Sequence, residues 1–164
     1  MADKNAYWDA CAWIGLINEE PDKYPGCKHT MGLAENGHLE IWTSAFTLAE
    51  VFKRKRAGDT SAISAAQDSD FEDFLMKSFI VLVEVDRDIG TLARALMRRY
   101  PIKQPQDGVH LATAVWYNLD EFHTFDGALL SLDRLLTRRD GAKLPIVRPS
   151  SAPPPGPLFS GLTA

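Results

Sequence analysis

Four carboxylates stand where chemistry is most easily built: Asp9, Glu50, Asp107 and Asp126. Asp9 follows the short apolar run Ala6-Tyr7-Trp8, and Asp126 follows the run Phe122 to Phe125. Asp107 stands behind Pro105, in the first turn of a predicted helix. Glu50 sits among Ala45, Leu48, Ala49 and Phe52, where a carboxylate needs a partner. Gathered at one sheet edge, two such charges about 4 Å apart repel by roughly 4 kcal/mol at an effective dielectric near 20. Either some are protonated or a cation sits among them. Oxygen donors with no soft ligand nearby select Mg²⁺ or Mn²⁺. One or two such ions ionise a water and neutralise charge on a phosphodiester attacked in line.

The elements that would position these acids alternate along the chain. Ala6 to Trp8 reads as a strand and Ala10 to Asn18 as a helix. A polar stretch, Glu19 to Gly26, leads to a helix near Cys27 to Glu35, stopped by Asn36-Gly37. Leu39 to Trp42 alternates as a strand, and Thr43 or Ser44 caps a helix predicted through Arg56. Gly58 to Ser64 reads as a loop and Asp68 to Lys77 as a helix. Phe79 to Val85 resembles a buried parallel strand. Asp86 or Asp88 caps a helix ending near Tyr100-Pro101, and Asp107 opens one to Asn118. Phe122 to Phe125, Gly127 to Arg138 and Leu144 to Val147 complete the pattern as strand, helix and strand. Such alternation predicts an α/β fold: a mainly parallel sheet in the middle of three layers, with helices on both faces. In such sheets sites form beyond the carboxyl ends of the strands, where these acids fall. One domain over residues 1–148 is expected, with residues 149–164 a Pro-rich, disordered tail.

Composition narrows the classes. With 164 residues, 45% of them apolar, the chain can bury a full core. No run approaches a membrane span, and no signal-peptide pattern is present. Cys11 and Cys27 form no C-x-x-C pair and have no zinc spacing, so a cytoplasmic, reducing compartment is expected. A net charge of −4 argues against a nonspecific nucleic-acid coat but leaves room for a local basic patch. No Gly-rich phosphate loop and no G-x-S-x-G turn occurs. Glu84 with Asp86 and Asp88 resembles a Toprim-type acid pair, yet the following Ile89, Leu92, Ala93 and Leu96 explain Asp86 or Asp88 as a helix cap.

Four blocks together resemble the signature blocks of the PIN domain, in that family's order and at similar spacing. They are Tyr7-Trp8-Asp9-Ala10-Cys11, Thr47-Leu48-Ala49-Glu50-Val51, Gln106-Asp107-Gly108-Val109-His110-Leu111-Ala112-Thr113-Ala114 and His123-Thr124-Phe125-Asp126. The resemblance runs from Asn5 to Arg148. It implies a Mg²⁺- or Mn²⁺-dependent nuclease acting on RNA, and the compact VapC-type toxins, which cleave tRNA or rRNA and are restrained by an antitoxin, are similar in size. It places Asp9, Glu50 and Asp107 as metal ligands, Asp126 as a fourth, and Thr124 as the hydroxyl beside it. The family often has Thr or Ser after the first acid; this chain has Ala10. A homodimer is compatible with the resemblance.

Each residue also has a structural reading. Asp9 and Asp107 fit helix caps, and Glu50 could pair with Lys53 or Arg54 on its own face. Lys53 to Arg56 would complement a helix dipole, while Lys53 and Arg54 would also suit RNA phosphates beside the acids. His110 and His123 read as packing residues, Cys11 and the Trp residues as core. The competing functions are an RNA-processing nuclease of the same fold, and a PIN-fold RNA- or protein-binding module without turnover. The latter is expected to lack one or more of the four acids, and none is missing.

Overall fold

The computed structural model describes residue 2, residues 4–52 and residues 63–151. Its strands are β1 (Asn5–Trp8), β2 (Glu40–Ser44), β3 (Ile80–Val83), β4 (Glu121–His123) and β5 (Ile146–Val147). Its helices are α1 (Ala10–Ile17), α2 (Tyr24–Glu35), α3 (Ala45–Glu50), α4 (Ala65–Leu75), α5 (Arg87–Arg99), α6 (Pro105–Trp116) and α7 (Gly127–Leu130).

The side chains of β1 explain why it is central. Tyr7 and Trp8 point to opposite faces, and both are fully buried. Tyr7 packs with Phe122 and with Ile89, Leu111, Val115 and Leu129 of α5, α6 and α7. Trp8 packs with Trp13, Cys27, Met31 and Phe71 of α1, α2 and α4. A strand with an aromatic core on each side must lie inside three layers. The strands run β3-β2-β1-β4-β5, and all pairings are parallel. The chain therefore winds one way from β1 and the other way after β3. The direction changes between β1 and β4, and the crevice at their carboxyl ends is where such a sheet places a site.

Several boundaries differ from the expectations. α3 ends at Glu50 rather than continuing to Arg56. Val51 leaves helical geometry with ψ 60 and buries its side chain in the Trp8 core. Lys53 and Arg54 lie outside the described residues. β3 is an edge strand, not a buried one: α4 covers one face, while Leu82 is 42% exposed. The predicted helix over Gly127 to Arg138 stops after one turn. Arg134 takes a φ of 57, and its N–H bonds the carbonyl of Leu144 instead of a helical neighbour. α4 begins earlier than expected, because Ser64 and Gln67 form a reciprocal capping box. α2 also begins early, with Pro25 tolerated in its first turn. Asp86 accepts from the N–H groups of Asp88 and Ile89, so it is the cap of α5. Cys11 is half-buried rather than core. Among the described residues no helix is long and apolar enough to cross a membrane.

Pro149 is buried, and its carbonyl closes against α2 at Gly26. A Cβ built on Gly26 would stand 2.2 Å from that oxygen. Gly32, in the same helix, has nothing within 4 Å of its Cβ position. Gly26→Ala should therefore destabilise by about 1–3 kcal/mol through overpacking. Gly32→Ala should stabilise by roughly 0.5–1 kcal/mol through helix propensity. Urea unfolding of both variants checks the contact, and equal effects would contradict it.

Candidate active site

Asp9 leaves β1 at its carboxyl end and enters α1. Its Oδ1 accepts from the Ala12 N–H at 3.1 Å, so it caps the helix. Its Oδ2 accepts from the Thr124 hydroxyl at 2.5 Å. The carboxylate is 3% exposed, and a buried charge needs such donors. Ala10 has no hydroxyl to offer; Thr124, across the crevice on the segment after β4, supplies the bond instead. Thr124 Oγ1 in turn accepts from the Asp126 N–H at 3.0 Å, so one hydroxyl ties Asp9 to Asp126.

Asp126 stands three residues beyond the end of β4, which is shorter than expected. Its Oδ1 accepts from the N–H groups of Ala128 and Leu129, at 2.8 and 3.1 Å, and caps α7. Asp107 behaves differently. Gln104 occupies the N-cap of α6 and Pro105 begins the helix, so Asp107 lies within the first turn without capping it. Among the described residues its carboxyl accepts no hydrogen bond. Burial, and then the negative charge of Asp126, push its pKa up to about 6; Asp9 and Glu50 push the same way, and His110 opposes them. The four acids thus reach one electrostatic neighbourhood from the ends of β1, α3, the start of α6 and the segment after β4.

Glu50 is the last residue of α3. Its Oε2 lies 2.5 Å from His110 Nε2, and His110 Nδ1 lies 2.6 Å from the Tyr7 hydroxyl. His110 is one turn after Asp107 on α6. Burial, together with the charge of Asp9, raises the Tyr7 pKa, which keeps its phenol protonated. His110 was expected only to pack. It packs, but both ring nitrogens are also engaged, one of them by a site acid. The signal was available: a His one helical turn after Asp107 shares its face.

Among the described residues no three His, Cys, Asp or Glu side chains stand close enough to enclose one ion. The donor set nevertheless fits a hard cation. It is all oxygen, and burial together with the charge of the neighbouring acids raises the Asp107 carboxyl. Asp9, Glu50, Asp107 and Asp126 are the residues that would hold such an ion.

Residues 6–135 match the model of the PIN domain family. No curated protein matches the sequence. Among solved structures, a toxin–antitoxin complex from Klebsiella pneumoniae is similar at 22% identity, with 90% of this chain and 99% of that one covered and a TM-score of 0.59. A VapC toxin of Mycobacterium tuberculosis that cleaves the sarcin–ricin loop is similar at 15% identity, over 74% of this chain and 90% of that one, with a TM-score of 0.58. A VapBC complex from Rickettsia felis, bound to promoter DNA, is similar at 20% identity over 87% and 98%, with a TM-score of 0.55. These likenesses show the shared three-layer fold.

The raised Asp107 pKa makes a stability prediction. Its folded value, about 6, lies well above the ordinary aspartate range, so the ionised form weighs against folding at neutral pH. That penalty is relieved as pH falls through about 6. In EDTA, Asp107→Asn should be more stable than the wild type at pH 8, by on the order of 1 kcal/mol after allowance for partial exposure. The gap should close towards pH 4. Thermal melts across that range check it, and a variant that melts below the wild type throughout contradicts it.

Proposed function

This chain belongs to the PIN domain family, and from that membership we propose that it is a divalent-metal-dependent endoribonuclease, the toxin of a toxin–antitoxin pair. The observation that carries the reading is the raised Asp107 carboxyl amid three further acids at the β1/β4 crevice. Acids gathered at that crevice suit a site whose charge is completed by bound metal and an approaching phosphodiester. The toxins among the similar structures support the biological role.

In this reading, bound Mg²⁺ or Mn²⁺ supplies Lewis acidity towards the phosphodiester and lowers the pKa of the attacking water. The chain's own residues prepare the place. Thr124 and the Ala12 N–H hold both oxygens of Asp9, so its orientation is set before substrate arrives. Asp126 is fixed by the α7 N–H groups, and Asp107 faces the others from α6. Lys53 and Arg54, three and four residues after Glu50, would contact phosphates of the RNA. A small antitoxin would restrain the enzyme by covering the acidic crevice, and tRNA or rRNA is the expected substrate class. A homodimer is also part of this proposal.

Purified protein should cleave RNA with Mn²⁺ or Mg²⁺ and lose activity in EDTA. Asp9→Asn should cost at least roughly 3 kcal/mol of barrier, about a hundredfold in rate. Expression of the wild type alone should arrest growth, while Asp9→Asn should be tolerated. Full activity in EDTA would refute the metal mechanism. Metal-dependent cleavage with harmless expression would favour a processing enzyme over a toxin.

A further inference from the structure

Two consecutive residues of β1 use the same device on opposite faces of the sheet. On one face the Trp8 indole N–H donates to His123 Nδ1 at 3.2 Å, and His123 Nε2 lies 2.9 Å from Glu121 Oε2. Indole can only donate, so His123 Nδ1 accepts and Nε2–H donates to the carboxylate. On the other face the Tyr7 hydroxyl meets His110 Nδ1 and His110 Nε2 meets Glu50. A carboxylate can only accept, so His110 Nε2 carries the proton here as well. In both arrays a buried aromatic on the central strand holds a His, and the His holds a Glu: Glu121 on its own strand β4 for His123, and Glu50 at the end of α3 for His110.

The difference between the arrays is their destination. Glu121 is also bonded by Lys4, and the His123 bond, aided by Lys4, pulls its carboxyl down to about 2. That array is a closed ion-pair network. Glu50 belongs to the acids that press on Asp107. His110 stands one turn from Asp107 on α6 and binds Glu50 at the end of α3. The edge of its ring contact with Phe46 (centroids 6.0 Å apart) backs it on the α3 side.

We propose that His110 is a positioning residue for metal binding: anchored by Tyr7 on β1, it fixes the plane of the Glu50 carboxylate relative to Asp107. This rests on the metal-nuclease reading. α3 has only six residues and ends at Glu50. The His110 bond couples the helix end to the rigid β1 core. A group bonded behind a ligand in this way sets its orientation and basicity, and its loss usually weakens metal affinity by about 10–100-fold.

Paired amide substitutions separate this role from packing. A Gln side chain places its amide near the His Nε2 position, whereas Asn reaches only the Nδ1 position. In full-length protein titrated with Mn²⁺ by calorimetry, His110→Gln should bind within about threefold of the wild type. His110→Asn should bind at least about tenfold more weakly. Tyr7→Phe should fall between them, since it leaves the Glu50 bond but removes its anchor. His123→Asn, the matching change on the other face, should lower the melting temperature while leaving Mn²⁺ affinity within about twofold. Equal, wild-type-like affinity in both His110 variants overturns the proposal. So does an equal loss in His123→Asn, which would show that affinity follows general stability. If the wild type itself binds no Mn²⁺, the metal reading falls and this proposal with it.

Discussion

Like charge at the carboxyl ends of β1 and β4 is the constraint around which the rest of the structure is arranged. Asp9 is buried there, Asp126 is near, and Asp107 and Glu50 approach from α6 and α3. Burial and the neighbouring acids hold the Asp107 carboxyl near a pKa of about 6. A fold tolerates such repulsion only where the backbone is held firmly from other directions. Here the firmness comes from the two aromatic cores on either side of β1. Trp8 and Trp13 pack edge to face at 5.1 Å below the sheet, and Tyr7 stacks on Phe122 at 5.2 Å above it.

The structural and functional readings of the acids are not alternatives at every position. Asp9 caps α1 with one oxygen and meets Thr124 with the other. Asp126 caps α7 while its own N–H bonds the same Thr124 hydroxyl. Capping holds a carboxylate in a single rotamer and stabilises its charge with backbone N–H donors. In the proposed metal reading, a cap at the switch point of a parallel sheet would serve as a preorganised ligand. Asp107 caps nothing, and burial with the charge of Asp126 pushes its pKa up to about 6.

Much of this was legible before the fold was seen. The alternation of apolar runs with helical stripes predicted the three layers, and Pro105 and Trp8 marked where Asp107 and Asp9 would fall. The failures have physical reasons. Val51 is β-branched and apolar, and periodicity alone continued α3 through it; its burial beside the Trp8 core bends the chain away. The Phe79 to Val85 run is apolar enough for an interior strand, but strand order is a tertiary property that composition does not encode. The helix predicted after Gly127 ends at Leu130, and the chain then turns so that the Arg134 backbone pairs with Leu144. His110 lies one turn from Asp107, yet a lone His among Val, Leu and Ala is more often a packing residue, so sequence alone favours packing. Its partners, Tyr7 and Glu50, are distant in sequence and meet only through the parallel pairing of β1 and the packing of α6.

The central claim is that the four acids form one electrostatic unit completed by a divalent cation. Carboxyl ¹³C NMR of Asp107, titrated by pH with EDTA and again with saturating Mg²⁺, tests it most directly. The account predicts an apparent pKa near 6 in EDTA and a fall of at least about two units with Mg²⁺, because a bound cation favours the ionised form. An Asp107 that titrates like an ordinary aspartate in EDTA, or whose titration Mg²⁺ leaves unchanged, would contradict it.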